Sequence, residues 1–199
     1  MSDTEAVVST IVSDNYDAGV QCAKDMMKKK TSANIIIVNQ KALNSINERV
    51  KGFRDTIKGH PQYKIVEEKE SAAEFEIAMK VMEKIIYEKK NYDVVMGGND
   101  PIALGCIAAM QMTDKTDQVM VYGVDGSPDG KAMIKAGFLE GTAAQSPIKI
   151  GEKAVQTAYS YLAGETVKKH VTIPVELITA DNLKFYDMTG WQLMKKIIV

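Results

Sequence analysis

Residues 93–129 read DVVMGGNDPIALGCIAAMQMTDKTDQVMVYGVDGSPD, and this stretch decides the fold. Two short apolar runs, Asp93 to Gly97 and Gln118 to Gly123, each lead into glycine and a polar side chain. Between them Pro101 to Met112 has the length and composition of a helix, opened by a proline that has no amide proton to leave unpaired. A strand, a helix and a second strand at crossover spacing form the unit from which parallel sheets are built.

The same alternation extends in both directions. Upstream, a candidate strand at Val7 to Val12 leads through Ser13-Asp14-Asn15 into a helical pattern from Asp17 to Lys29, with Val20, Ala23, Met26 and Met27 on one side. Asn34 to Asn39 is a continuous apolar run, as expected of a strand buried on both faces. A helix at Ser45 to Lys58, a break at KGHPQ and a strand at Tyr63 to Glu67 follow. Ser71 to Lys90 reads as the longest helix, striped by Phe75, Ala78, Met79, Met82 and Ile86, with Glu76 and Lys80 paired on the wet side. Downstream come a helix at Gly130 to Ala136 and a strand at Gly141 to Ala144. The expected fold class is α/β: a doubly wound parallel sheet with helices on both faces.

Ligands of such sheets bind beyond the carboxyl ends of the strands. That rule selects four loops: Gln40 to Asn47, Glu68 to Ala73, Gly97 to Pro101 and Val124 to Asp129. Asn99 or Asp100 would cap the helix that begins at Pro101. Asp125 stands one residue past its strand, and Gln145 ends GTAAQ at another strand terminus. Each alone is as well explained as a cap or turn residue. Together they place hydrogen-bonding side chains around one crevice. Amides offer donors and an acceptor and a carboxylate accepts twice, which suits the paired hydroxyls of a sugar.

Composition narrows the alternatives. The chain has 199 residues, formal net charge −1, 45% hydrophobic and 26% charged residues, the profile of a soluble globular protein. No basic face is evident, so nucleic acid is not an expected partner of this segment. No apolar run is long enough to cross a membrane. His60 and His170 lie in polar breaks and read as surface residues, away from any metal-ligand or triad spacing. The phosphate-binding glycine motifs are missing, as is the acidic cluster of a phosphoryl-transfer receiver after NIIIVN. No cofactor is expected. Cys22 and Cys106 read as buried thiols, and most of the 12 methionines as core filler. MSDTEAVVST lacks the features of a signal peptide and is expected to continue something upstream.

The segments SDNYDAG, NERVKGF, GGNDPIALG, VYGVDGSPDG and GTAAQSPIKIG occur in this order. Through them, from about Val8 to Val175, the chain resembles the ribose-binding members of the type I periplasmic sugar-binding proteins. Lactose-repressor-like transcription regulators use the same fold for effector binding. The resemblance implies two α/β lobes closing over a sugar, with three strands crossing between them near SDN, Gln145-Ser146 and Pro174-Val175-Glu176. On that basis residues 1–12 are the last strand of a first lobe and the first crossing. Residues 13–146 are the second lobe, 147–176 a helix and strand that return to the first lobe, and 177–199 a final strand and tail. The resemblance carries sugar contacts onto Asn99, Asp125 and Gln145. An arginine contact falls on Asn47 or, as in the repressor branch, on Arg49. An aromatic position near the start of the long helix falls at about Ala73. It implies a non-catalytic receptor for a pentose or hexose, serving a sugar importer through its membrane permease or serving a chemosensor. The alternative is the effector domain of a regulator. Full-length relatives are periplasmic or lipid-anchored. The helix IGEKAVQTAYSYLAGE, striped by Ile150, Ala154, Ala158 and Leu162, is expected to fold back, pair with a second copy or swap between chains.

Overall fold

A continuous apolar run is stable as a strand only where both faces of the sheet are covered, and Asn34 to Asn39 has that environment. In a computed structural model describing residues 6–89, 91–113 and 119–191, this run lies within β2 (Ala33–Asn39). Before it come β1 (Thr10–Ser13) and α1 (Asn15–Lys29). After it come α2 (Asn44–Ile57), β3 (Tyr63–Glu70), α3 (Phe75–Tyr87), β4 (Val94–Gly97) and α4 (Asp100–Gln111). The remaining elements are β5 (Met120–Asp125), α5 (Pro128–Ala136), β6 (Gly141–Ala144), α6 (Pro147–Leu162), β7 (His170–Ile173) and β8 (Glu176–Thr179).

Six strands form one sheet in the order β3-β2-β4-β5-β6-β8. All its pairings are parallel except the last, where β8 runs antiparallel to β6 at the edge. Helices α1 and α2 pack together over one face, and α3, α4 and α5 over the other. Ile35, Ile36, Ile37 and Val38 are fully buried between these layers, which is worth on the order of 10 kcal/mol in apolar transfer. The order also places β3 and β4 on opposite sides of β2, so the winding direction reverses between β2 and β4. Loops diverge at such a reversal and leave a crevice at the carboxyl ends of the strands.

Local chemistry sets the helix ends. Asp14 caps α1 by accepting from the Asp17 amide at 3.0 Å, and Ser127 caps α5 by accepting from the Gly130 amide at 2.9 Å. The α1–α2 contact depends on two glycines. A Cβ at Gly19 would collide with the Arg49 carbonyl oxygen, and one at Gly52 with the Tyr16 carbonyl oxygen. The two backbones therefore touch, and the amino-terminal end of α1 is drawn against the middle of α2.

Several boundaries differ from the sequence expectation. The first strand is Thr10–Ser13 rather than Val7 to Val12, because its register is set by pairing with β7, Thr10 opposite His170 and Ser13 opposite Ile173. Helix α3 starts only at Phe75, so it is not the longest; α6, with 16 residues, is. Its buried stripe is Ala78, Met82, Ile85 and Ile86, whereas Phe75 is exposed and no ion pair joins Glu76 to Lys80. Strand β3 runs on to Glu70, and β5 runs through Asp125, which ends the strand instead of following it. Gln118 and Lys90 lie outside the described residues.

Strands β1 and β7 form a separate parallel pair. Helix α6 packs mainly on β1 and does not fold back over the six-stranded sheet. Thr157 is its one buried residue, Ile150 is half-buried, and the rest of the expected stripe is exposed. Ile148, Val155, Tyr159 and Leu162 line an open apolar side, Tyr159 being 72% and Leu162 80% exposed. Of the tail, residues 183–191 pack near α5. There the buried Lys131 ammonium donates to the Asp187 carbonyl at 2.5 Å and to the Gly190 carbonyl. Residues 192–199, with most of WQLMKKIIV, lie outside the description.

Candidate functional site

Five side chains from distant segments, those of Ser13, Asn15, Arg49, Asp125 and Gln145, meet at the carboxyl end of the sheet, and Arg49 is at their centre. It projects from the first turns of α2 and is only 4% exposed. Its Nε donates to Asn15 Oδ1 at 3.0 Å, and its Nη1 donates to the Gly98 carbonyl at 2.9 Å and to Asp125 Oδ1 at 3.3 Å. Gln145 Nε2 donates to the same Asp125 oxygen at 2.7 Å, and Ser13 Oγ donates to Gln145 Oε1 at 2.8 Å. Residues from β1, α1, α2, β5 and the exit of β6 thus share one network. A guanidinium this far from water requires such acceptors, because an unpaired buried charge costs several kcal/mol.

The charges in the network are tuned by burial. Desolvation pushes the Asp125 carboxyl up to about 6, with the Asp100 carboxylate adding to the rise and Arg49 and Gln145 opposing it. Burial likewise weakens the Arg49 cation, offset by Asp125 and Asp100. Asp125 also has a φ of 148°, a region an L residue rarely occupies, and Gly126 follows at 72°. Strain of this kind, of order 1–3 kcal/mol, persists where the surroundings force it and concentrates at functional sites.

Asp100 lies beneath this layer with no exposure. Its Oδ2 accepts from the Ser127 amide at 2.8 Å and the Ser127 hydroxyl at 2.6 Å, and its Oδ1 accepts from Thr142 Oγ1 at 2.6 Å. Burial raises its carboxyl, opposed first by these hydroxyls. It ties the β4, β5 and β6 tips into one rigid platform.

The expected site residues divide accordingly. Arg49, Asp125 and Gln145 are brought together. Asn99, not Asp100, caps α4, accepting from the Ile102 amide at 3.0 Å while its Nδ2 donates to the Ala73 carbonyl at 3.4 Å. Asn99 is half-buried at the neighbouring β4 tip. Asn47 is not in the cluster: it is exposed in the first turn of α2 and donates back to the Lys41 carbonyl of the β2–α2 loop at 2.8 Å. The periodicity of α2 explains this, since Asn47 and Arg49 are two residues apart and so point to different sides. Sequence reasoning placed Ser13 and Asn15 near a crossing but missed their side-chain roles. The signal was their position at a strand-to-helix junction, where polar side chains face inward. Asn39, also at a strand tip and 2% exposed, donates to Glu68 Oε1 at 2.6 Å, while its side-chain Oδ1 has no hydrogen-bond partner.

Beside Gln145 a cavity of about 320 Å³ opens between the sheet edge and α6, bounded by Gly126, Ser146, Ile148, Val175 and Trp191. Among the described residues, no group of three or more metal-ligating side chains occurs. His60 and His170 are exposed, and Cys22 and Cys106 are buried free thiols, burial pushing Cys106 up to about 12.

A family profile described as periplasmic binding protein domain matches residues 2–166. The chain belongs to the periplasmic binding protein family. Within it the relatives are ribose-binding-like. The ribose import binding protein of Salmonella typhimurium strain LT2 is 31% identical over 175 residues, 86% of this chain and 58% of that protein. The D-apiose import binding protein of Paraburkholderia graminis is 31% identical over 189 residues, 93% of this chain and 60% of that protein. An ABC transporter solute binding protein from Bacillus halodurans C-125, solved with bound myo-inositol, superposes with a TM-score of 0.85 at 26% identity. That match covers 90% of this chain and 63% of the other. The chain therefore spans 58–63% of the length of these relatives. The doubly wound architecture is that of the periplasmic binding proteins, with an antiparallel edge strand, β8, added to the expected parallel sheet.

Proposed function

We propose that this chain is the carboxy-terminal lobe of a sugar receptor serving an ABC-type importer or a chemosensor, and that it performs no chemistry on its ligand. The observation carrying this reading is the Arg49–Asp125–Gln145 network at the strand tips. It fixes a carboxylate, a guanidinium and an amide side by side, a donor and acceptor set that matches adjacent hydroxyls of a pentose, hexose or inositol. Asn99, at the next strand tip, extends the same rim. The names of the relatives, import binding proteins for ribose and D-apiose, favour a receptor over the effector domain of a transcription regulator.

In this reading Ser13, Gln145-Ser146 and Pro174-Val175-Glu176 are the three crossings to a first lobe. The β1–β7 pair and the open side of α6 pack on that lobe, and closure of the two lobes over the sugar presents the receptor to a membrane permease outside the cytoplasm. A lobe by itself leaves much of a sugar in water, so its affinity is weak. The test is a thermal-shift screen against ribose, allose, arabinose, apiose and myo-inositol, with Asp125→Ala as control. Stabilisation by one of them, lost in Asp125→Ala, is the expected result. Silence from every sugar, both for this chain and for the chain joined to a first lobe, would refute the receptor.

A further inference from the structure

The network around Asp125 closes on itself. Ser13 Oγ donates to Gln145 Oε1 at 2.8 Å, and Gln145 Nε2 donates to Asp125 Oδ1 at 2.7 Å. Arg49 donates to that oxygen at 3.3 Å and to Asn15 Oδ1 at 3.0 Å, and Asn15 Nδ2 donates back to the Ser13 carbonyl at 3.2 Å. We propose that Ser13 is a positioning residue whose hydroxyl closes this ring, holding Gln145 against Asp125 and tying strand β1 to the ligand-facing carboxylate. The functional consequence rests on the sugar-receptor reading; the ring itself does not.

Donor and acceptor identities carry the argument. Arginine can only donate, and an ionised carboxylate can only accept. Arg49 therefore claims the oxygen of the Asn15 amide, and Asp125 claims the nitrogen of the Gln145 amide. That leaves Asn15 offering a donor and Gln145 offering an acceptor toward the same place, the end of β1. The residue there must supply one acceptor and one donor. Any residue supplies the acceptor through its backbone carbonyl. Ser13, only 4% exposed, supplies the donor through its hydroxyl. Alanine would keep the first bond and lose the second, leaving the Gln145 carbonyl without its partner. The amide would then lose its hold on Asp125. The ring also joins parts that a ligand-driven hinge must coordinate: the end of β1, the start of α2, the tip of β5 and the exit from β6.

Asp125 reports on the ring without any ligand. It is faced by Arg49 from α2, by the Asp100 carboxylate and amide from α4, and by Gln145, while burial holds the nearby Cys22 thiol of α1 in its neutral form. Of these groups only Gln145 is held by Ser13. The experiment is a pH titration of the Asp125 side-chain carboxyl by carbon-13 NMR in the unliganded chain, assigned by its loss in Asp125→Asn. A midpoint near 6 is expected for the native chain. Ser13→Ala should move it upward by roughly half a pH unit, because a hydrogen bond to the charged form is weakened. Ser13→Thr, which keeps the hydroxyl, should restore it. If the alanine variant does not fold, Ser13→Cys, close in size but a poor donor, takes its place. A midpoint unchanged in Ser13→Ala, or displaced equally in Ser13→Thr, overturns the proposal. With the sugar found by the thermal-shift screen, Ser13→Ala should bind about fivefold more weakly and Ser13→Thr normally. A titration shift with threonine rescue in a chain that binds no sugar would leave the ring standing and remove only the receptor reading.

Discussion

Replacing Asp125 by asparagine should stabilise the protein at neutral pH while weakening the proposed sugar site. The side chain is 17% exposed, so solvent screens it little. Its carboxyl is displaced from an ordinary 3.8 to about 6, and the attraction of Arg49 is already included in that displacement. A shift of about two units corresponds to roughly 3 kcal/mol. Because the folded value lies above the unfolded one, the stability linked to Asp125 is full below pH 4 and is lost as the pH rises through 6. Asparagine keeps the shape and carries no charge to desolvate. It should therefore recover up to about 3 kcal/mol at pH 7.5 and nothing at pH 4, or roughly 6–12 °C in Tm at the higher pH for a chain of this size. Urea denaturation of both proteins at pH 4.0, 5.0, 6.0 and 7.5 gives the difference directly. Comparing variants also removes the contribution of Asp100, whose carboxyl is raised in the same direction. If the chain is the proposed sugar receptor, its sugar affinity should fall about 10- to 100-fold, the cost of losing a charged hydrogen-bond acceptor. A difference that stays flat with pH, or an asparagine variant less stable at pH 7.5, would show that Arg49 satisfies Asp125 fully and that the carboxylate is not held at a cost.

Three further outcomes follow from the same contacts. Arg49→Met takes the guanidinium from Asn15 and the Gly98 carbonyl and leaves Asp125 with Gln145 alone, and should destabilise by about 3–5 kcal/mol at pH 7.5 and less at pH 5, where Asp125 can take a proton; urea midpoints at the two values decide it. Gly52→Ala should cost about 1–3 kcal/mol despite the better helix propensity of alanine, because its methyl meets the Tyr16 backbone; a neutral or stabilising effect on Tm would contradict the close α1–α2 approach. Tyr159→Ser and Leu162→Lys on the open side of α6 should each change the stability of this chain by less than about 0.5 kcal/mol, and a loss above 1 kcal/mol would mean that the face is covered in solution.

Much of the fold was legible because its signals are local. NIIIVN is apolar without alternation, a pattern that only a doubly covered strand tolerates, and Asn99-Asp100-Pro101 marks a helix start by capping chemistry. That Asp125 and Gln145 meet at the carboxyl end of the sheet was legible from their place at strand ends, and the resemblance to ribose receptors marked them as candidates over ordinary turn formers. The choice between Asn99 and Asp100 as cap was not legible. Both side chains can cap, and the outcome was set by Ser127 and Thr142, distant in sequence, which claim the Asp100 carboxylate.

By itself the sequence determined the alternation of strands and helices, the exposed histidines, the buried thiols and the end of the sheet at which to look. These follow from periodicity, turn chemistry and burial preference within a few residues of each position. Only the tertiary structure decided that Arg49 and not Asn47 joins Asp125, that Ser13 and Asn15 complete the ring, and that α6 leaves its apolar side open. Those outcomes depend on the bare backbone contact of α1 with α2 at Gly19 and Gly52, on the reversal of strand order beside β2, and on how each acceptor is shared among donors from distant segments. Such contacts arise from packing in three dimensions, and no local pattern encodes them.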